Sequence, residues 1–166
     1  MSRPKSDLEA LRQDLHKVYE GAPWHGSSIT NVLKGIDADI AALRPIPHAH
    51  TIWEILLHMT AWTREVASRV RGAAAKSPPE DWPAPRFGGG EPAWKAAKDD
   101  LAAAQKEAEA AVAALQGADL VRWIENPHGT SCSVGTVIRG LLQHHTYHEG
   151  QIAMLKRAAE NGGRRG

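Results

Sequence analysis

Apolar residues recur at steps of three and four along most of this chain, a spacing that gathers them on one face of a helix and on no face of a strand. Leu8, Leu11, Leu15, Val18 and Tyr19 form the first stripe. Ser6 opens it with Glu9 three residues on, a capping-box signature, and Gly21 and Pro23 stop it. A second run, capped by Ser27 or Ser28, carries Ile29, Val32, Leu33, Ile36, Ile40 and Leu43 until Pro45 and Pro47 break it. Thr51 opens a third, with Ile52, Ile55, Leu56, Met59, Trp62, Val66 and Val70, ending at Gly72. Glu91 and Pro92 suit the first turn of a fourth, and residues 94–115 are strong helix formers whose apolar side is mostly alanine, so it should pack closely on a neighbour. Ser133 caps the last, with Val134, Val137, Ile138, Leu141, Leu142, Ile152 and Leu155, ended by Asn161, Gly162 and Gly163. No internal repeat and no convincing alternating strand is found. The expectation is an all-α chain of four main helices and a short extra one, most simply a four-helix bundle.

Between the helices, residues 73–90 hold four prolines and the run Gly88-Gly89-Gly90, which no regular element tolerates. Loops of that length are functional or mobile. Residues 118–132 read as a second, ordered loop. The expected organisation is one domain over 1–160 and a frayed tail at 161–166.

Composition then narrows the function classes. Twenty Lys and Arg against nineteen Asp and Glu leave a formal charge of +1, which excludes a strongly basic nucleic-acid surface. One cysteine cannot form an internal disulfide, and the N-terminal stretch has no apolar core of a signal peptide. No stretch approaches the roughly 18 apolar residues of a membrane span. The expectation is a cytoplasmic protein with neither nucleic acid nor membrane as partner. The compositional oddity is histidine, at nine residues.

His144 and His148 are the one pair four residues apart, a spacing that stacks both imidazoles on one helical face. Random placement of nine histidines gives about half such a pair per chain, so position carries the signal. The series Val137, Leu141, His144, His148, Gln151, Leu155 steps by four and three, which sets both histidines on an inward seam. Imidazoles there either find hydrogen-bond partners in the core or share a metal ion. His58 lies mid-way along the strongly apolar third helix, and facing helices of a bundle project such side chains into one cavity. Three protein ligands with an open position is the arrangement of a catalytic metal.

The segment Thr51-Ile-Trp-Glu-Ile-Leu-Leu-His58-Met-Thr-Ala-Trp62, together with His144-x-x-x-His148-x-Gly150-Gln151-Ile152, resembles the DinB-like superfamily, also called the YfiT-like metal-dependent hydrolases. Pro23-Trp24-His25-Gly26-Ser27 and the long loop after the His58 helix are similar too. The resemblance covers nearly the whole chain. It implies an up-down-down-up four-helix bundle, often a homodimer, with a divalent metal held by three histidines. Carried over by position, these are His58, His144 and His148. Zinc or nickel is the first expectation for the ion, iron or manganese the next. Many relatives have Asp after the first histidine of the pair. This chain has His145, an alternate ligand or an extra proton carrier. Some relatives transfer bacillithiol or mycothiol, and one kind is a mycothiol-dependent isomerase.

Further candidates surround these three. Glu54, one turn before His58, is either an acceptor for a ligand imidazole, a general base, or a carboxylate at the helix N-terminus. Gln151 either orients a water or substrate at the metal or packs as an amide, and Gly150 allows a neighbouring helix close. His25, His48, His50 and His128 read as loop or cap residues, His16 as exposed, and Cys132 as a small loop residue or a reactive thiol at a helix N-terminus. Trp53, Trp62 and Trp94 read as core or interface, whereas Trp24, Trp82 and Trp123 lie in loops where they could wall a pocket above the metal. The functional expectation is a metal-dependent enzyme acting on a small molecule, either a hydrolase or a transferase of a low-molecular-weight thiol. The competing one is a non-catalytic helical dimer, with structural metal or none, that uses helix 94–115 as its dimer face.

Overall fold

The computed structural model describes residues 6–85, 87–126 and 129–162. His128 and residues 163–166 of the expected tail lie outside the described residues. The chain is all-α in its main elements. α1 spans Asp7–Glu20, α4 Ile52–Val70, α5 Gly90–Ala113 and α6 Val134–Gly162, with short α2 (Ile29–Val32) and α3 (Ala38–Ala42) between the first two long helices.

Local chemistry sets these limits. Ser6 accepts the Glu9 amide at the start of α1, whose stripe Leu8, Leu11, Leu15, Val18 and Tyr19 is buried as its spacing predicts. α4 opens on a complete capping box, in which Thr51 Oγ1 accepts the Glu54 amide at 3.1 Å and Glu54 Oε2 accepts the Thr51 amide at 2.7 Å. Within α4 the hydroxyls of Thr60 and Thr63 are buried because each donates to the carbonyl four residues back, at 2.8 and 2.7 Å. Ser133 Oγ accepts the Thr136 amide at the head of α6.

Two expectations need correction. The run from Ile29 to Leu43 is not one helix. Gly35 takes φ +72, a left-handed conformation that ends the first turn, and Asp37 then caps α3 by accepting the Ile40 amide at 2.8 Å. Nor is the segment before α6 wholly irregular. Trp123–Ile124 pairs antiparallel with Cys132–Ser133, in the register Trp123 with Ser133 and Ile124 with Cys132. Pairs of two residues are too short to show alternation.

The alanine side of α5 packs against α4. Ala97, Ala104, Ala108 and Ala111 are buried there with Trp94 and Leu101. The close packing expected of this alanine-rich side is therefore met within the chain itself.

The core divides into two apolar clusters. One gathers Leu8, Leu11, Leu15, Val66, Val70, Val112, Ile138 and Leu141, and the other Ile29, Ile52, Trp53, Leu56, Met59, Trp94, Leu101 and Ile152. α4 passes from the second to the first between Met59 and Val66, and α6 does so between Ile152 and Leu141. His58, His144 and His148 sit at that changeover, so polar side chains interrupt the core where the two clusters meet.

Gly35 and Gly150 test the backbone reading in opposite directions. A Cβ at either meets nothing within 4 Å, but Gly35 is left-handed and Gly150 is helical. Gly35→Ala should cost about 1–2 kcal/mol of unfolding free energy, and Gly150→Ala should add up to about 1 kcal/mol, both read by urea denaturation.

Candidate metal centre

α4 presents His58 and α6 presents His144 and His148 toward one point. His58 Nε2 lies 3.0 Å from His144 Nε2, and His148 Nε2 lies 3.1 Å from the same atom. All three ligand atoms fall within 4.8 Å of one another, a grouping that could hold a metal ion.

The outer ring nitrogens explain which way the inner ones face. His58 Nδ1 is 2.7 Å from the backbone carbonyl oxygen of Asp81, which can only accept, so Nδ1 carries the proton and Nε2 a lone pair. His148 Nδ1 likewise donates to Gln151 Oε1 at 2.6 Å. Lone pairs thus converge on His144 Nε2 from two sides, and a single proton on that nitrogen can serve only one of them. His144 Nδ1 is buried with no hydrogen-bond partner, so no outer contact pins its ring. Neutral nitrogens facing one another this closely fit a shared cation, and imidazole with no thiolate suits a borderline transition ion.

Burial keeps the two clustered imidazoles of α6 neutral, the form that ligates. Burial, with the neighbouring His148 and His58, pushes the pKa of His144 down to about 3. Burial also lowers His148, against a smaller upward pull from its bond to Gln151.

The lid over this cluster comes from the long loop after α4. The Trp82 ring lies between two imidazoles, stacked on His58 at 3.9 Å and on His50 at 3.6 Å, with interplanar angles of 10° and 2°. Asp81 Oδ1 accepts from Trp62 Nε1 at 2.6 Å and stands 3.3 Å from His58 Nδ1. One loop residue therefore fixes a candidate ligand through its carbonyl and a flanking indole through its carboxylate. Spacing alone did not reveal Asp81, because the loop has no period. Its one signal was an Asp-Trp pair set between prolines, with Pro78 and Pro79 before it and Pro83 after it.

Other candidates fall elsewhere. His145 points away from the cluster: it is fully buried, its Nε2 lies 3.2 Å from Gln105 Oε1, and it stands neither as a ligand nor on a route for protons to solvent. Helical geometry explains this, since adjacent residues are about 100° apart around the axis. Glu54 is committed to its capping box and to Arg44, at 2.8 and 3.0 Å, so the acceptor for His58 is Asp81 instead. Gln151 holds the outer nitrogen of His148. A Cβ at Gly150 would meet nothing within 4 Å, so among the described residues no neighbouring helix packs against it. His25 lies 3.4 Å from both Glu149 Oε2 and Thr146 Oγ1, and His16 lies near Glu20 and Glu109. His48 takes φ 63 in the turn before α4. Of the three loop tryptophans, only Trp82 covers the centre; Trp24 and Trp123 are exposed.

Glu54 also supplies a pH test. Burial raises its pKa, but the Thr51 amide and Arg44 outweigh that and leave it below 4.5. A lowered carboxylate contributes stability above its unfolded pKa and loses it as pH falls through the folded one. Glu54→Gln should therefore cost about 1 kcal/mol at pH 7, with the gap from wild type closing as pH drops below 4.5 in parallel urea titrations.

The comparisons agree with this geometry. No curated protein and no solved structure matches the chain. Residues 24–152, a span that includes all three clustered histidines, match the DinB superfamily. With that match over most of its length, the chain belongs to the DinB superfamily.

Proposed function

We propose that this protein is a metal-dependent enzyme of the DinB superfamily, in which His58, His144 and His148 ligate one divalent transition ion, zinc or nickel before iron or manganese. The observation that carries the reading is the convergence of three Nε2 atoms, with the outer nitrogens of His58 and His148 tied to Asp81 and Gln151. Such an ion, when bound, acts as a Lewis acid that makes a nucleophile available near neutral pH.

The chain's own groups do the rest. The Asp81 carbonyl and Gln151 hold two imidazoles in the ligating tautomer and orientation. Trp82 shields the face of His58 from water and so strengthens electrostatic interactions at the centre. A small-molecule substrate follows from a centre of three protein ligands, which leaves coordination positions open. Two reactions fit that centre, hydrolysis and transfer of a low-molecular-weight thiol, and family likeness favours the thiol. A second copy of the chain as partner rests on that likeness as well. No helix among the described residues is long and apolar enough to cross a membrane.

Metal analysis of untagged protein is the deciding measurement. The wild type should carry about one equivalent of transition metal, and His58→Ala and His144→Ala should each fall below about a tenth. Wild-type content under about half an equivalent would sink the reading. Gln151→Leu should keep the fold and lower metal affinity roughly 10- to 100-fold by competition with a chelating dye. For the reaction class, metal-loaded protein is incubated with monochlorobimane and a panel of low-molecular-weight thiols. Conjugation that needs both thiol and metal is the expected result, and its absence with every thiol would count against transfer.

A further inference from the structure

Of the three clustered imidazoles, His58 and His148 are buried, at 7% and 4% exposure, and only His144 is partly open. His144 is among the residues that line a groove of about 300 Å³ between α4 and α6. A larger concavity, about 760 Å³ and lined by Trp53, Leu57 and residues of α5, contains none of the three. A second groove beside the centre, lined by Ile46, His50 and Met154, reaches Gln151 but no clustered imidazole.

The groove at His144 has a definite chemistry. Its walls are Trp62, Val66, Val137 and Leu141. Arg69 is its one formal charge, with the guanidinium 5.5 Å over the Trp62 ring. That charge is already spent: Arg69 Nε donates to the buried Glu65 carboxylate at 2.8 Å and Nη2 donates to the Lys76 carbonyl at 2.7 Å. The groove therefore presents mostly apolar walls, with Thr136 bonded to Ser133 as its neutral polar member, a flat indole, and no unbalanced cation to draw in an anion.

We infer that this groove is the substrate-binding site and that it takes a compact, uncharged ligand with an aromatic or similarly flat apolar body, whose polar head points toward His144. The inference rests on the proposed metal centre for the role of that head, while the groove's preference for the body stands apart from it. A ligand lying against Trp62, Val137 and Leu141 also passes Cys132, which lines the same groove and is the chain's one cysteine. That thiol reports occupancy without any metal.

The test compares benzohydroxamic acid with acetohydroxamic acid, which share a chelating head and differ in the body, on metal-loaded protein by calorimetry. The phenyl probe should bind about tenfold more tightly or better, from the extra apolar area it buries. A carboxylate at the 4-position of its ring should remove that gain. Gly140 lines the groove, and a Cβ there meets nothing within 4 Å, so Gly140→Phe fills the groove without disturbing the helix. This variant should keep its metal and lose the phenyl preference, whereas Met154→Trp, in the second groove, should keep both. Benzyl alcohol, which has no chelating head, should slow iodoacetamide labelling of Cys132 in metal-free and metal-loaded protein alike.

The outcomes separate the two claims. Wild-type protein that fails to take up metal, yet is protected by benzyl alcohol, would refute the centre and keep the groove. Protein with metal but no phenyl preference and no protection would overturn the groove and keep the centre. A preference lost in Met154→Trp and retained in Gly140→Phe would also overturn it, and assign the substrate to the other groove.

Discussion

The bond from His58 Nδ1 to the Asp81 carbonyl, at 2.7 Å, is the constraint on which the centre depends. It fixes a proton on the outer nitrogen and so turns a lone pair toward α6. His148 is set the same way by Gln151, and the two lone pairs meet at His144. Once those protons are placed, a cluster of three imidazoles cannot satisfy itself by hydrogen bonding alone. It needs a cation or it costs the free energy of close, unpaired polar atoms in a half-buried site. The family match and the geometry therefore support the same reading from independent directions.

The loop that supplies Asp81 is anchored at both of its sides. Before it, the Ala75 amide donates to the Glu125 carbonyl at 3.0 Å, and Arg122 donates to the Val70 carbonyl at 2.6 Å, which ties the end of α4 to the short paired segment. The Lys76 amide donates to Glu65, itself held by Arg69. At its far side, Trp82 is clamped between His50 and His58. Four prolines between Pro78 and Pro85 remove four amides and restrict the unfolded chain there, which lowers the cost of holding Asp81 and Trp82 over the cluster.

Much of this was legible in the sequence, for identifiable reasons. Long helices with a clean stripe and a cap, such as α1 behind Ser6 and α4 behind Thr51, announce themselves because burial and hydrogen bonding point the same way. The convergence of His58 with His144 and His148 followed from a mid-helix histidine and a pair at helical spacing. What stayed hidden obeyed no period. The break at Gly35 depends on one positive φ that competes with an unbroken apolar pattern, and Asp81 and Trp82 are placed by the tertiary path of a loop. Glu54 is open in the sequence between a task at the ligand and a carboxylate at the helix N-terminus, and the structure gives the second, as the capping box at the start of α4.

The partition of the histidines bears on whether an ion here would be structural or catalytic. A structural site closes with four protein ligands, and it is typically rich in thiolate. Here a single cysteine lies in the neighbouring groove, and among the described residues three nitrogens converge without a fourth. His145 could have been the fourth by sequence proximity, yet the helix turns it into the core, where its Nε2–H donates to Gln105 Oε1. The remaining open side is the one His144 shares with an apolar groove whose only charge is neutralised by Glu65. An incomplete ligand set beside a mostly apolar groove with its one charge balanced is costly as scaffolding and well suited to binding a small molecule, which is the physical argument for reading this centre as a site of chemistry.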